Sequence, residues 1–353
     1  MPDPTLNESL VRVAFVSGVR HAGPYLELLA ADDRVVVVGV GDELDAPQWM
    51  REDSERAAAD AGVPWRGDIG GWLNADDVDL AIICSEPTRH ARLAIECLSR
   101  GIHVLVDKPV AVTLADADRV IAAAKAADRH CSVINRTHAP ALRRLRSWVD
   151  AGHLGLPRHF DMEFFASGAF FATSVERPEL VVDASLSGGG EMMNFLGYSV
   201  DAIRYASGLE VESVYAMSGT LFSEVHAQHG VEDAAVVSLG LQHGVTATIT
   251  VGRIPHAPGL GPTSTSLRVI GSHAHAVADD DRPALLRYGG RDAVGADSFD
   301  GGQEALRAYL SHVIDCTVAG RPSDYGIEDA RASMAVIDAA YRSVQDEIPQ
   351  RPR

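Results

Sequence analysis

Lysine is scarce in this chain, and its two positions draw attention to one residue. Of the 31 basic residues, 29 are arginine, and the two lysines are Lys108 and Lys125. An ammonium has a more compact charge and a more readily shifted pKa than a guanidinium, so a lysine that persists here can indicate chemistry. Lys125 lies on a predicted helix surface, where a solvated cation explains it. Lys108 follows an apolar strand and is the candidate, with a solvated loop cation or chance composition as alternatives.

The turn after the first apolar run is placed to bind the phosphates of a dinucleotide. In the pattern G-x-G-x-x-G/A, backbone N–H groups at the start of a helix hold the pyrophosphate. Here Ser17 and Val19 replace the first two glycines, and Ala22 fills the third position. A valine is expected to put a branched side chain in the way of the pyrophosphate, so the turn alone is weak evidence. The predicted contacts in this turn are Ser17, Gly18, Val19, Arg20 and His21.

Asp42 strengthens the dinucleotide prediction because it ends the second apolar run, roughly 20 residues past the turn. An acidic side chain at this position accepts a hydrogen bond from the ribose 2′-hydroxyl. A carboxylate there also repels a 2′-phosphate, so NAD is favoured over NADP. The alternative is an ordinary acid in a surface loop, since Glu43 and Asp45 are neighbours.

The first 135 residues alternate apolar runs with amphipathic helices. The predicted strands are Val11 to Val16, Arg34 to Val40, Leu80 to Cys84, His103 to Val106 and Cys131 to Asn135. Strands that alternate with helices predict an α/β fold with a doubly wound parallel sheet covered on both faces. We therefore assign residues 1–135 to a Rossmann dinucleotide-binding domain.

From residue 136 onward, strands follow one another without intervening helices. The predicted strands are Arg158 to Phe165, Val211 to Met217, Ala234 to Leu241, Val245 to Val251 and Thr265 to Ile270. Residues 136–353 are thus predicted to form an α+β domain with a large, mostly antiparallel open sheet. Gln242 to Gly244 is expected to form a hairpin turn, and a helix from Met192 to Tyr205 to cover the sheet. The stretches Pro255 to Ser264 and Ala278 to Gly302 are rich in Gly, Pro and Asp and are expected to be loops.

Composition bounds the class of protein. A length of 353 residues favours two domains, and 46% hydrophobic with 23% charged residues is typical of a globular protein. The net charge of −18 disfavours a nucleic-acid partner. No apolar run reaches about 18 residues, so no membrane helix is expected. The polar start argues against a signal peptide, and four scattered cysteines predict a reduced, cytoplasmic protein.

Several motifs along the chain point to one family. Gly101 to Pro109 is a variant of a Gly-x-x-Val-x-Val strand followed by Glu-Lys-Pro, with an aspartate in place of the glutamate. Ser85 to His90 corresponds to a Thr-Pro-Asn-x-x-His segment, and Asn135 to Pro140 to the entry into a second domain. Gly188 to Gly190, followed by Asp201, corresponds to a triple-glycine helix start. Over nearly its whole length the chain resembles the glucose-fructose oxidoreductase, inositol dehydrogenase and rhizopine-catabolism family, called Gfo/Idh/MocA.

The resemblance implies catalytic roles for three residues. Lys108 is expected beside the nicotinamide and the reacting substrate carbon. The family's second catalytic position, often Asp-x-x-x-His, falls on Asn194 and Tyr198, which share one helix face. Asparagine is no general base, so the resemblance assigns the acid/base role to Tyr198, assisted by the Lys108 ammonium, and Asn194 orients a hydroxyl. The alternative for Tyr198 is a half-buried structural tyrosine.

The resemblance also implies binding residues outside the phosphate turn. Further predicted cofactor contacts are Ser85, Glu86, His90, Asp107, Lys108, Pro109 and Asn135. The predicted substrate contacts are Lys108, Arg136, Asn194 and Tyr198. Weaker candidates for a substrate cleft, each of which could equally be structural, are His138, Arg253 and His256. His273 and His275 share a predicted strand face, but no carboxylate or cysteine stands at metal-ligand spacing, so no metal is predicted.

These features predict an NAD-dependent oxidoreductase that transfers a hydride between the nicotinamide and a sugar, inositol or similar polyol. A non-redox enzyme that uses bound NAD to cleave a glycosidic bond stays open, because Asn194 departs from the family pattern. A catalytically inactive ligand-binding or regulatory homologue also stays open, because Ser17 and Val19 alter the phosphate turn. The resemblance further implies a homodimer or homotetramer that pairs through the open sheet.

Overall fold

The computed structural model describes residues 10–168, 177–255, 263–279, 284–289, 292–298 and 303–353. Two compact units divide the chain. The first comprises the described parts of residues 1–111, 115–134 and 310–327, and the second those of 112–114, 135–309 and 328–353. The predicted division at residues 135 and 136 differs from this grouping mainly at residues 310–327, which return to the first unit. No helix in the described ranges is long and apolar enough to cross a membrane.

The first unit contains a six-stranded sheet in which every pair of neighbouring strands is parallel. The strand order is β3-β2-β1-β4-β5-β6, and it reverses between β1 and β4 as in a doubly wound nucleotide-binding fold. This confirms the predicted α/β class. The strands are β1 (Val11–Val16), β2 (Val35–Asp42), β3 (Trp65–Asp68), β4 (Leu80–Ile83), β5 (His103–Val106) and β6 (Cys131–Val133).

The sequence analysis missed one strand and one helix of the first unit. Strand β3 carries no apolar run, since it reads Trp-Arg-Gly-Asp and forms the edge of the sheet. The helix before it, residues Gln48–Asp60, is rich in charged residues. The helices that begin in this part of the chain are α1 (Ala22–Ala30), α2 (Gln48–Asp60), α3 (Pro87–Ser99) and α4 (Leu114–Ala127).

The second unit contains an eight-stranded sheet of order β14-β13-β12-β11-β7-β10-β9-β8. Among the described strands of this second sheet, only the β7–β10 pair is parallel. The expectation of a mostly antiparallel sheet is therefore confirmed. The strands are β7 (Pro157–Ser167), β8 (Val211–Gly219), β9 (Ala234–Leu241), β10 (Thr246–Ile254), β11 (Thr263–Gly271), β12 (His275–Asp279), β13 (Ala284–Gly289) and β14 (Asp292–Ser298).

The stretch Ala278 to Gly302, predicted to be a loop, instead contains β13 and β14 and the end of β12. These strands are short and rich in Gly and Asp, and pairing with their neighbours stabilises them more than intrinsic strand propensity does. The predicted turn at Gln242–Gly244 is confirmed, because it joins the antiparallel strands β9 and β10.

A long helix covers one face of the second sheet. The helices of this part of the chain are α5 (Pro140–Asp150), α6 (Glu179–Val182), α7 (Ala184–Ser187), α8 (Glu191–Ser207), α9 (Glu224–His229), α10 (Gln303–Ala319) and α11 (Ile327–Asp346). Helix α8 packs on β7 and β10, and alternate residues of the central strands, such as Phe160, Ile249 and Val269, are fully buried in the shared core. This apolar burial fixes the position of α8, which carries Asn194 and Tyr198.

Candidate active site

The phosphate turn departs from the glycine pattern at Ser17 and Val19. Ser17 adopts a left-handed conformation with φ of 65°, the conformation that the first glycine would take, at a cost of roughly 1–2 kcal/mol for a non-glycine residue. Val19 is only 4% exposed, and the expected obstruction of the pyrophosphate by its side chain stays a prediction. A Cβ on Gly18 would lie 3.0 Å from Cα of Ser54 on α2, a tight contact that favours glycine at this position. Helix α1 then begins at Ala22, directly after His21.

Asp42 is a buried residue that pairs with an arginine, rather than a surface-loop acid. Its side chain has no exposed area, and its Oδ1 atom accepts hydrogen bonds from Nη1 of Arg89 (2.8 Å) and from the backbone N–H of Glu43 (2.8 Å). Its Oδ2 atom accepts a longer bond of 3.3 Å from Ser54, whose hydroxyl also accepts from the Gly18 N–H at 2.8 Å. The phosphate turn and the predicted ribose acid are thus joined through one serine.

Arg89 binds three carboxylates at this edge of the sheet. Besides Asp42, it donates to Glu86 at 2.7 Å and to Glu43 at 3.0 Å. Burial disfavours its charge, but the bonds to Glu86 and Asp42 outweigh that effect and raise the pKa of the guanidinium. Arg92 forms a second, two-pronged pair with Glu43. Among these five side chains, three carboxylates and two guanidinium groups sum to a net charge of −1.

Two features beside this cluster fit a nucleotide. The Oε2 atom of Glu86 is buried and has no hydrogen-bond partner among the described residues, so it is an acceptor ready for a ligand hydroxyl. A cavity of about 400 Å³ opens next to Glu43 and is also lined by Arg51, Trp65 and Asp68. The edge therefore offers acceptors for a ribose and space for a base, which is what the adenosine half of NAD requires.

The segment before Lys108 is tied to the phosphate turn. Asp107 is fully buried, and its carboxylate accepts from His21 at 2.8 Å and from the Tyr25 hydroxyl at 3.0 Å. Burial alone would raise the pKa of Asp107, but His21, Arg20 and Lys108 outweigh it and hold that pKa below its usual range. Lys108 itself is 8% exposed, so it is not the solvated loop cation of the alternative interpretation.

The His90 ring lies between two backbone carbonyl groups of the first unit. Its two ring nitrogens lie 2.6 Å from the carbonyl oxygen of Pro109 and 3.0 Å from that of Ser85. The ring thereby links the end of β4 to the Lys108–Pro109 segment and leaves no ring nitrogen for a cofactor. The Ser85 hydroxyl donates to the Glu86 carbonyl at 3.2 Å. The cofactor contacts expected of His90 and Ser85 remain predictions.

In the second unit, the triple glycine starts helix α8 against Glu232. A Cβ on Gly190 would lie 2.1 Å from the Glu232 carbonyl oxygen, so only glycine fits. The Glu232 carboxylate then accepts from the backbone N–H groups of Gly190 (3.1 Å) and Met192 (3.0 Å) and from the Tyr341 hydroxyl (2.7 Å). A carboxylate on these free N–H groups stabilises the helix start.

Glu191 is the centre of a buried ionic cluster that the sequence analysis missed. The side chain has no exposed area and accepts from Arg253 at 2.5 Å, from Asn194 at 2.8 Å and from His226 at 3.2 Å. Burial would raise its pKa, but Arg253 and the three hydrogen bonds outweigh burial and lower the pKa of Glu191 to about 2. Glu191 is the first residue of α8, where acidic side chains are common, so the sequence carried no particular signal of this cluster.

Tyr198 belongs to a stack of aromatic rings. Its ring stacks on Phe164 at a centroid distance of 5.7 Å, and Phe164 stacks on Phe195 at 4.7 Å. The guanidinium carbon of Arg136 lies 5.1 Å from the Phe164 centroid and 5.9 Å from the Tyr198 centroid. Arg253 lies 5.8 Å from the Phe195 centroid at the other side. Tyr198 thus lies half-buried in an aromatic stack with a cation over its ring, and its acid/base role stays a prediction.

The remaining candidates have structural surroundings or lie outside the described residues. Asn135 is in the second unit and accepts from the backbone N–H (3.0 Å) and hydroxyl (2.6 Å) of Thr137. His138 packs edge-on against Tyr309 at 5.3 Å. His256 is outside the described ranges. His273 lies in the turn before β12, so the expected shared strand face with His275 is wrong.

The structure brings the predicted residues together in two groups. One is the phosphate turn with Asp42, Glu86 and the Asp107–Lys108 segment, and the other is Arg136, Asn194 and Tyr198. The predicted assistance of Tyr198 by Lys108 joins residues of different units and stays a prediction. Within the described ranges, no three His, Cys, Asp or Glu side chains are grouped so that they could hold a metal ion.

Comparison with known proteins adds the family. Residues 28–135 match a model described as an oxidoreductase family with an NAD-binding Rossmann fold, and residues 142–277 match the GFO/IDH/MocA C-terminal domain. The chain is 26% identical over 223 residues to the uncharacterized oxidoreductase YrbE of Bacillus subtilis, covering 63% of this chain and 61% of YrbE. It is 26% identical over 280 residues to myo-inositol 2-dehydrogenase of Thermotoga maritima, covering 76% of this chain and 78% of that protein.

A solved structure shows the same fold. GenD2 from gentamicin A biosynthesis, in complex with NAD, superposes with a TM-score of 0.80 over 100% of this chain and 99% of its own, at 22% identity. The two family models match residues in both units. Lys108 lies within the first matched region, and the triple glycine lies within the second. The chain therefore belongs to the Gfo/Idh/MocA family of oxidoreductases, and its first unit is an NAD-binding Rossmann domain.

Proposed function

We propose that this protein oxidises a secondary hydroxyl of a sugar, inositol or similar polyol, or reduces the corresponding ketone, with NAD as the hydride carrier. The observation that carries the proposal is the placement of Tyr198 and Asn194 on one face of α8, with the Arg136 cation beside the tyrosine ring. The myo-inositol 2-dehydrogenase of Thermotoga maritima supports the choice of a polyol.

The residues of the first unit fit NAD better than NADP. Asp42 and the orphaned oxygen of Glu86 are acceptors for the ribose hydroxyls, and the net negative charge of their cluster repels a 2′-phosphate. The backbone N–H groups at the start of α1 would hold the pyrophosphate. When bound, NAD accepts the hydride that leaves the carbinol carbon.

The protein's own residues have to move one proton and stabilise one developing charge. The Tyr198 oxygen takes the proton of the substrate hydroxyl during oxidation and returns it during reduction. The Lys108 ammonium stabilises the developing alkoxide. Asn194, whose amide nitrogen is fixed by Glu191, orients a neighbouring hydroxyl of the substrate.

A substrate screen tests this function. The purified protein is assayed with sugars and inositols, with NAD and NADP in separate reactions, and the absorbance of the reduced nicotinamide is followed. We expect reduction of NAD by at least one polyol and a weaker reaction with NADP. Product that accumulates without a net absorbance change would instead support the glycoside-cleaving alternative. Absence of NAD and NADH binding at millimolar concentration in calorimetry would support a non-catalytic homologue.

We also propose a homodimer or homotetramer in the cytoplasm. The face of the second sheet opposite α8 exposes apolar side chains on several strands, including Met217 (58% exposed), Tyr215, Val236 and Ile270. These exposed apolar side chains stand among polar ones, such as Glu163 and Arg268, and together with the resemblance they support association with a second copy. Four buried cysteines without disulfides fit a reducing compartment.

A further inference from the structure

Arg136 differs from the arginines that pair with carboxylates in the two candidate groups. Arg89 and Arg92 pair with Asp42 and Glu43 in the first unit, and Arg253 pairs with Glu191 in the second. Arg136 forms no ion pair with any described carboxylate, although the chain holds 49 acidic residues. Among the described residues, its side chain makes one hydrogen bond, a long contact of 3.5 Å from Nη1 to the hydroxyl of Thr265.

The aromatic stack holds the Arg136 guanidinium in place. The group lies 5.1 Å from the Phe164 centroid and 5.9 Å from the Tyr198 centroid, and the side chain is half-buried. A guanidinium contacts an aromatic ring through its flat face. Its N–H groups point outward in its own plane and can still donate to another partner. A half-buried cation with few hydrogen bonds also loses hydration, which increases the gain from an anionic partner.

The number of charges selects the kind of anion. Two guanidinium groups flank the aromatic stack, but Glu191 neutralises Arg253. Of the two guanidinium groups at the stack, Arg136 therefore remains without a described carboxylate, and its single charge matches a singly charged group. A carboxylate presents two coplanar oxygens to the guanidinium fork, whereas a phosphate dianion calls for more donors than one arginine and one threonine provide.

We infer that Arg136 binds a carboxylate of the substrate, so that the polyol oxidised by this protein is an acid, such as a uronate or a carboxylated cyclitol. The inference rests on the proposed function and specifies its substrate class. The carboxylate pairs with Arg136 while the hydroxyl to be oxidised lies at Tyr198, so the adjacency of the two side chains places the reacting carbon within a sugar ring's reach of the acid group.

Matched substrate pairs test the inference. D-Glucuronate is compared with D-glucose, D-galacturonate with D-galactose, and quinate with myo-inositol, all with NAD. A charge-assisted pair of this kind predicts a kcat/KM for at least one acid roughly ten- to a hundred-fold above that of its neutral counterpart. Arg136→Gln should remove most of that preference, and Arg136→Lys should retain part of it because the charge stays. Arg158→Gln, which changes an exposed arginine of β7, is the matched control and should keep the preference.

Each outcome separates the inference from the proposed function. Turnover of neutral polyols without a preference for any acid overturns the inference and leaves the function intact. Equal losses on acid and neutral substrates in Arg136→Gln also overturn it, because they indicate a structural role. If no compound in the panel reduces NAD, the proposed polyol oxidation fails. Calorimetry of the NAD-saturated protein with glucuronate and quinate then decides the inference, and binding that Arg136→Gln does not weaken, or no binding at all, overturns it.

Discussion

Two groups of charged side chains, one in each unit, contain the same residue types but differ in the sign of the charge that is left over. In the first unit Asp42, Glu43 and Glu86 surround Arg89 and Arg92, which leaves an excess of one carboxylate. In the second unit Glu191 faces Arg253, while Arg136 adds a second cation without its own carboxylate. A cluster with spare carboxylate oxygens suits hydroxyl donors, and a cluster with a spare guanidinium suits an acid.

The comparison shows why the net charge of −18 says little about either cluster. The net charge affects solubility and the rate at which the protein meets a ligand. Recognition of the ligand depends instead on which charges at the site are already paired at a short distance. A chain with a large acidic excess can therefore still present an unpaired cation, provided that its neighbours are aromatic rings rather than carboxylates.

The largest effect is expected in the second cluster, from Tyr198→Phe. Loss of the phenol oxygen removes the proposed acid/base group, and kcat should fall by about 10²- to 10⁴-fold while the fold is retained. Steady-state kinetics on the best substrate of the screen measures the change. Tyr205→Phe, on the same helix, is the control and should keep the wild-type rate. If the Tyr198→Phe enzyme kept full turnover, Tyr198 would not be the acid/base group, and the second cluster would have no catalytic role to distinguish it from the first.

Glu191→Gln should give the next largest effect, on stability. The pKa of Glu191 falls from 4.5 to about 2 in the folded protein, which corresponds to about 3 kcal/mol of unfolding free energy at neutral pH. Because the folded-state pKa lies below the unfolded value, this contribution is present above about pH 4.5 and is lost as the pH falls through about 2.

Denaturant unfolding of the wild type and Glu191→Gln from pH 7 down to pH 2.5 measures this difference. We expect the gap between the two proteins to shrink steadily below about pH 4.5. A gap that does not change with pH would mean that Glu191 contributes packing and neutral hydrogen bonds rather than charge.

The smallest effect is expected in the first cluster, from Asp42→Asn. The substitution removes the charge that faces the 2′ position of the ribose, so NAD affinity should fall by about tenfold and the preference over NADP should narrow. Calorimetric titration with both cofactors measures the change. Asp45→Asn, at an exposed position three residues on, is the control. An unchanged preference in Asp42→Asn would show that Arg89 already cancels the charge of Asp42 at the cofactor.

Much of the fold follows from local pattern. The strands β1 and β5 and the strand β9 have the bounds predicted for them, because each is an apolar run ended by polar or turn residues. The misses are elements without such a run. Strand β3 and helix α2 are polar, and β13 and β14 are stabilised by pairing with other strands rather than by their own composition.

The candidate site divides in the same way. Positions that depend on a motif, such as Asp42, Lys108, Asn194 and Tyr198, were identified from the sequence. The partners of those residues were not, because Arg89 is 47 residues from Asp42 and Arg253 is 62 residues from Glu191. Sequence spacing carries no information on contacts across such distances, which depend on how strands and helices pack.

The sequence by itself determined the alternation of strands and helices, the family motifs and the single lysine of interest, since each is written in a few adjacent residues. Only the tertiary structure decided which charges are neutralised. It paired Arg89 and Arg253 with carboxylates, and it placed Arg136 on the faces of Phe164 and Tyr198. Two charges stabilise each other strongly only when they lie a few ångströms apart. For residues far apart in the chain, that distance depends on how the chain folds.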